Sequence, residues 1–271
     1  MSAPAPTSAE LADLDPALAA QIQALHEQHA RRGFTIVAEP PFAVVGDGDP
    51  EQVQAYAARI VRWAVHHLEA AYFEAPPSPV VTIYLFETAD SYERNALALF
   101  GEEPDTPYGY YSRSDSALVM NISTGGGTLV HEIVHPYMEA NFAACPTWFD
   151  EGLASLYEQS AEVDGAIVGL TNWRLAGLQD ALRAGQVPSF AELCASGIAF
   201  YTDDPAGTNY AQARYLCYWL QEQGLLQRYY QEFRRKVSFD PSGYQTLVET
   251  VGPDMDGFRA SWERFVLALV Y

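Results

Sequence analysis

Apolar positions recur at intervals of three and four along Val53, Tyr56, Ala57, Ile60, Trp63, Ala64, Leu68 and Ala71. That spacing lays one stripe of a 3.6-residue helix against a sheet or core. Asp49 as N-cap and Pro50 at the first helical position mark its start. Upstream, Leu18, Ile22 and Leu25 share one side of a helix predicted over 15–32, and residues 1–15, rich in Ala, Pro and Ser, read as a disordered tail. The period then changes from helical to extended. Residues 34–38 and 42–45 are short apolar runs separated by Pro40-Pro41, and 80–86 is a continuous β-branched and aromatic run of the kind a central strand carries.

A helix over about 88–100 leads to 108–112 and 117–121, which flank a turn at Ser114-Asp115 and predict a β-hairpin. Gly125, Gly126 and Gly127 follow, with Thr128 as the expected N-cap of the next helix. Beyond residue 146 the pattern is mostly helical, with stripes over 172–184, 189–195, 208–223, 225–236 and 254–269. The expectation is an α+β protein: a mixed α/β lobe over 16–135 with an antiparallel hairpin at its edge, a helical lobe over 136–271, and a cleft where ligands prefer to sit.

The richest chemistry lies in His131-Glu132-Ile133-Val134-His135. Residues four apart on a helix lie about 40° apart around its axis, so the two imidazoles project side by side toward one metal ion. Glu132 sits on the flank of that face, within reach of a water on the metal without being a ligand. Glu151 comes sixteen positions after His135, within Pro146-Thr147-Trp148-Phe149-Asp150-Glu151-Gly152-Leu153-Ala154-Ser155-Leu156-Tyr157. That run reads as a second helix, with a Pro near its start and an apolar stripe, and it supplies a third ligand.

These two segments together resemble the gluzincin metallopeptidases, the clan of thermolysin-like and aminopeptidase-N-like enzymes. The resemblance is close over about thirty residues and holds in outline elsewhere. It implies a thermolysin-like zincin catalytic domain in which His131, His135 and Glu151 hold one Zn2+ per chain and Glu132 is the general acid/base. It also implies a peptide or unfolded protein segment as substrate, held along an edge strand, so that Met120 and Asn121 border the cleft. Tyr210 stands where aminopeptidase-like relatives carry a transition-state tyrosine, with Tyr201 and Tyr110 as alternatives.

Three features depart from the family's pattern. Pro136 follows the second histidine, so the helix is expected to kink or end there. The link to Glu151 is short, and Asp150 stands where many relatives carry Asn.

Composition narrows the partners. The formal charge of −20 disfavours nucleic acid and anionic membrane surfaces. No apolar run approaches a membrane span, and the N-terminus lacks the pattern of a signal peptide. Cys145, Cys194 and Cys217 are an odd, widely spaced set that suits a reducing compartment and forms no zinc tetrad, so a cytoplasmic protein is expected. His66 and His67 are adjacent, point in different directions and read as structural or surface residues. Two other readings compete with a peptidase: a catalytically inactive gluzincin-like peptide-binding protein, and a metal site that serves stability alone. The residue pattern leaves the oligomeric state open.

Overall fold

The structure, a computed structural model, describes residues 11–202 and 207–271. The chain forms two compact units. One runs up to His66 and resumes over Ala75–Ala140; the other takes His67–Glu74 and Asn141–Tyr271. The second division falls beyond the expected boundary at 135.

The first unit is built on a five-stranded sheet in the order β1-β2-β3-β5-β4. Helix α1 (Pro16–His29) is capped by the Asp15 carboxylate, which accepts from the backbone of Ala17 and Leu18. Strand β1 (Thr35–Glu39) turns through a cis Pro40-Pro41 peptide into antiparallel β2 (Phe42–Gly46). A long helix follows, made of α2 (Pro50–Tyr56), a π-helical stretch Ala57–Val61 and α3 (Arg62–Ala71). Then come β3 (Thr82–Phe86), α4 (Ala89–Phe100), β4 (Gly109–Ser112), β5 (Ala117–Asn121), the 3-10 turn Ile122–Thr124 and α5 (Gly126–Asn141).

Strands β2, β3 and β5 lie parallel, and every residue in them is buried. Their continuous apolar runs, without polar alternation, reflect a sheet covered on both faces. On one face Ala43, Val45, Tyr84, Phe86, Ala117 and Val119 pack with Leu18, Ile22 and Leu25 of α1 and Tyr92 and Ala96 of α4. On the other, Phe42 meets Tyr137 of α5, ring to ring at 6.0 Å. The β4–β5 hairpin closes through Arg113–Ser116 and carries the sheet's edge, as the pattern predicts.

Residues 11–15 are not part of a disordered tail. Residues 11 and 12 are helical, and Leu11 and Leu14 pack against the first unit's core, because their side chains add apolar surface to it. The rest of that expectation falls on residues 1–10, outside the described residues.

The second unit is mostly helical. It contains α6 (Thr147–Tyr157), a hairpin of β6 (Ser160–Val163) and β7 (Ala166–Gly169), α7 (Arg174–Arg183), α8 (Phe190–Cys194), α9 (Ala199–Thr202), α10 (Thr208–Glu222), α11 (Leu226–Lys236), α12 (Tyr244–Val251) and α13 (Met255–Ala268). An aromatic cluster of Phe142, Trp148, Phe149, Tyr229, Tyr230 and Phe233 fixes α6 on α11. Among the described residues, no helix is long and apolar enough to cross a membrane.

Candidate metal centre

Helix α5 carries both histidines. It starts at Gly126, two residues before the expected cap at Thr128, because Gly125 takes a positive φ of 111° and turns the chain directly out of the 3-10 segment. Gly126 itself lies so close to the π-helical stretch that a Cβ there would meet Ile60 Cδ1 at 2.5 Å. The helix then runs through Pro136 to Asn141 without ending, although position 136 has no N–H to give to the Glu132 carbonyl. Pro136 is buried with the whole stretch from Leu129 to Met138.

The imidazole rings of His131 and His135 stand 5.0 Å apart, inclined at 74°. Both residues are 7% exposed, as is Glu151, and Glu132 is 8% exposed. One donor atom from each of His131, His135 and Glu151 comes within 4.8 Å of the other two. Ligands on a tetrahedral zinc at about 2 Å stand roughly 3.3 Å from one another, so a small side-chain adjustment brings these three onto one ion. Two imidazole nitrogens and a carboxylate oxygen are also the donor types of three-ligand zinc sites. The group can therefore hold a metal ion.

Glu132 lies on α5 between the two histidines. Its charge is felt at Tyr92, whose phenol is held well above its ordinary pKa by burial first and then by Tyr110, Glu132 and Glu93. The Tyr92 hydroxyl donates to the Thr106 carbonyl at 3.0 Å.

Helix α6 presents Glu151 from a tightly fixed frame. Trp148, 1% exposed, donates its indole N–H to the Ser242 carbonyl at 2.8 Å. The backbone N–H groups of Phe149 and Asp150 both reach the Pro146 carbonyl. Gly152, directly after the candidate ligand, faces α10, where a Cβ would stand 3.1 Å from the Ala213 carbonyl oxygen and 3.1 Å from Cys217 Sγ. The missing side chain lets α10 approach α6 closely. At the other end of α6 the fully buried Arg214 donates to the carbonyls of Leu156 and Leu170, an arrangement that suits the negative end of a helix. Burial pulls the Arg214 pKa down to about 10, so the group stays charged at neutral pH.

The Tyr201 hydroxyl donates to Oε1 of the candidate ligand Glu151 at 2.7 Å. Tyr210, at the start of α10, has its ring 6.1 Å from that of Tyr201, 4.8 Å from that of Phe200 and 5.3 Å from the Arg174 guanidinium carbon. Tyr110 lies on β4, paired with Val119.

Met120 and Asn121 are 1% and 3% exposed, and β5 is paired on both sides, by β3 and by β4. An added strand needs an open edge, so these two residues offer no surface for one; the open edge on this side of the sheet belongs to β4. Asn121 instead ties down the preceding loop, donating through its side chain to the Pro107 carbonyl at 2.8 Å and accepting from Ser123 at 2.6 Å. The three cysteines are free thiols, and burial pushes all of them up in pKa.

No protein-family model and no curated protein matches the chain.

Proposed function

We propose that the chain is a zinc-dependent peptidase of the gluzincin type, with His131, His135 and Glu151 as ligands to one Zn2+ and Glu132 as general acid/base. The observation that supports this reading is the convergence of the three donor groups, all buried, with a carboxylate set between the two histidines on the same helix. Bound zinc supplies a Lewis acid and lowers the pKa of a water at its open position toward neutrality.

The chain's own residues supply the rest. Glu132 takes the proton of the attacking water on its carboxylate and returns it to the departing amine of the broken peptide bond. Tyr210 donates to the oxyanion that forms on the attacked carbonyl, a role carried by the resemblance and compatible with its half-buried place beside Tyr201. The open edge of β4 holds an extended substrate through backbone hydrogen bonds.

The deciding experiment pairs metal analysis with hydrolysis of a peptide library. Glu132→Gln is expected to keep one zinc per chain and to lose activity by a factor on the order of 100 to 10,000. Full activity in that variant removes Glu132 from the mechanism. Wild-type protein that is loaded with zinc and binds peptides, yet cuts none, replaces the peptidase by the non-catalytic binding protein.

A further inference from the structure

The Tyr201 hydroxyl occupies one oxygen of a candidate metal ligand, and the fold goes to some length to keep it there. Glu151 is 7% exposed, while Tyr201 is 48% exposed, so the hydrogen bond to Oε1 is made by a ring standing half in solvent. A half-exposed tyrosine has rotamer freedom to lose, and here its surroundings remove it.

Helix α9 is only four residues long and is anchored by Phe200, which is fully buried. The Asn209 side chain ties it to α10 by donating to the Phe200 carbonyl at 3.2 Å. The Tyr201 ring rests against Phe200 at 5.5 Å and Tyr210 at 6.1 Å. Tyr210 in turn stacks under the Arg174 guanidinium at 5.3 Å, and Arg174 is held by Glu158 at 2.9 Å. The salt bridge, the cation and the two rings form a continuous buttress that ends on Glu151.

We infer that Tyr201 is a positioning residue for the metal site: its phenol O–H engages Oε1 of Glu151 so that the carboxylate meets the metal through its other oxygen alone. The inference rests on the ligand assignment proposed above. A carboxylate has two oxygens and binds a metal through one or both. A donor locked onto Oε1 would leave Oε2 for an ion and would disfavour binding through both oxygens. Groups that orient a metal ligand in this way typically change metal affinity 10- to 100-fold when removed.

The test compares the metal-free full chain as wild type, Tyr201→Phe and Glu151→Ala. Zinc affinity is measured by competition with a chromophoric chelator, the visible spectrum is taken after cobalt loading, and the melting temperature is recorded without metal. Tyr201→Phe keeps the ring and its packing, so the metal-free melting temperature is expected to match wild type. Its zinc affinity is expected to fall about 10-fold, and its cobalt spectrum to change as the second carboxylate oxygen enters the coordination shell. Wild-type affinity and spectrum in Tyr201→Phe, together with loss of zinc binding in Glu151→Ala, overturn the role of Tyr201 and leave the ligand set intact. Undiminished zinc binding in Glu151→Ala overturns the ligand assignment, and this inference with it. A fall in the metal-free melting temperature of Tyr201→Phe with unchanged affinity makes Tyr201 a packing residue only.

Discussion

The rings of His131 and His135 face each other across one turn of α5, 5.0 Å apart and inclined at 74°. A buried pair of this kind, with a carboxylate donor within 4.8 Å, is poorly explained as core packing, because each imidazole occupies space that an apolar side chain would fill more favourably. A metal ion held by the three groups would offset that cost. Folding and metal binding are then linked: an ion that binds the folded chain at a free concentration of 1,000 times its dissociation constant adds about 4 kcal/mol of stability. Addition of a chelator is accordingly expected to lower the melting temperature of the wild type by several degrees. His135→Ala should melt at the same temperature with and without the chelator, and calorimetry on the two proteins checks both outcomes.

The contact between Gly152 and α10 sets how α6 is seated. A Cβ at this position already stands 3.1 Å from the Ala213 carbonyl oxygen, and two further methyl groups have no room beside a backbone that cannot rotate away. Gly152→Val is expected to destabilise the protein by about 2 kcal/mol and to weaken zinc binding, since Glu151 is the preceding residue. Denaturant melts of the metal-free protein, read beside a zinc titration, measure the two effects separately.

Tyr72 and Tyr157 share a buried hydrogen bond of 2.6 Å between their hydroxyls, and burial pushes both phenols well up in pKa. Removing one hydroxyl leaves the other without this partner in a dry setting, so Tyr157→Phe is expected to cost roughly 1–3 kcal/mol. Removing both eliminates the polar atoms together. The double variant Tyr72→Phe/Tyr157→Phe is therefore expected to be no less stable than the single one, and a double-mutant cycle gives the coupling. Additive losses would show that the two hydroxyls act independently.

His29, 3% exposed, packs on Phe34 at 5.2 Å and Tyr84 at 5.9 Å. Burial, and after it the Arg32 charge, hold its pKa below the ordinary 6.5. The sign follows from linkage: the unfolded chain takes up this proton first, so the contribution is complete above about 6.5 and is lost as the pH falls through the lower folded value. His29→Phe is expected to lose less stability than the wild type as the pH drops below 6.5. Melts of the metal-free proteins across pH 5 to 8 provide the comparison, in which the other titrating groups cancel.

Local pattern carried much of the architecture. The stripe from Val53 to Ala71, the continuous run through β3 and the hairpin of β4 and β5 all follow from side-chain periods that report which face is covered. The β6–β7 hairpin does not stand out in the side-chain period, although Asp164-Gly165, both at positive φ, is the dipeptide a tight hairpin turn favours. Its four-residue strands are too short and too exposed to show a clear alternation. Helix α12 is hard to read from the pattern for a related reason, since eight residues span little more than two turns.

The sequence by itself determined the two histidines one turn apart, the glutamate between them and the second helix bearing Glu151, because each depends only on spacing along a regular element. Tertiary structure decided that the strand holding Met120 and Asn121 has no open edge, that Pro136 does not end its helix, and that Tyr201, fifty residues from Glu151, donates a hydrogen bond to it. Those outcomes depend on which distant segments pack together, and side-chain period along the chain carries no record of that choice.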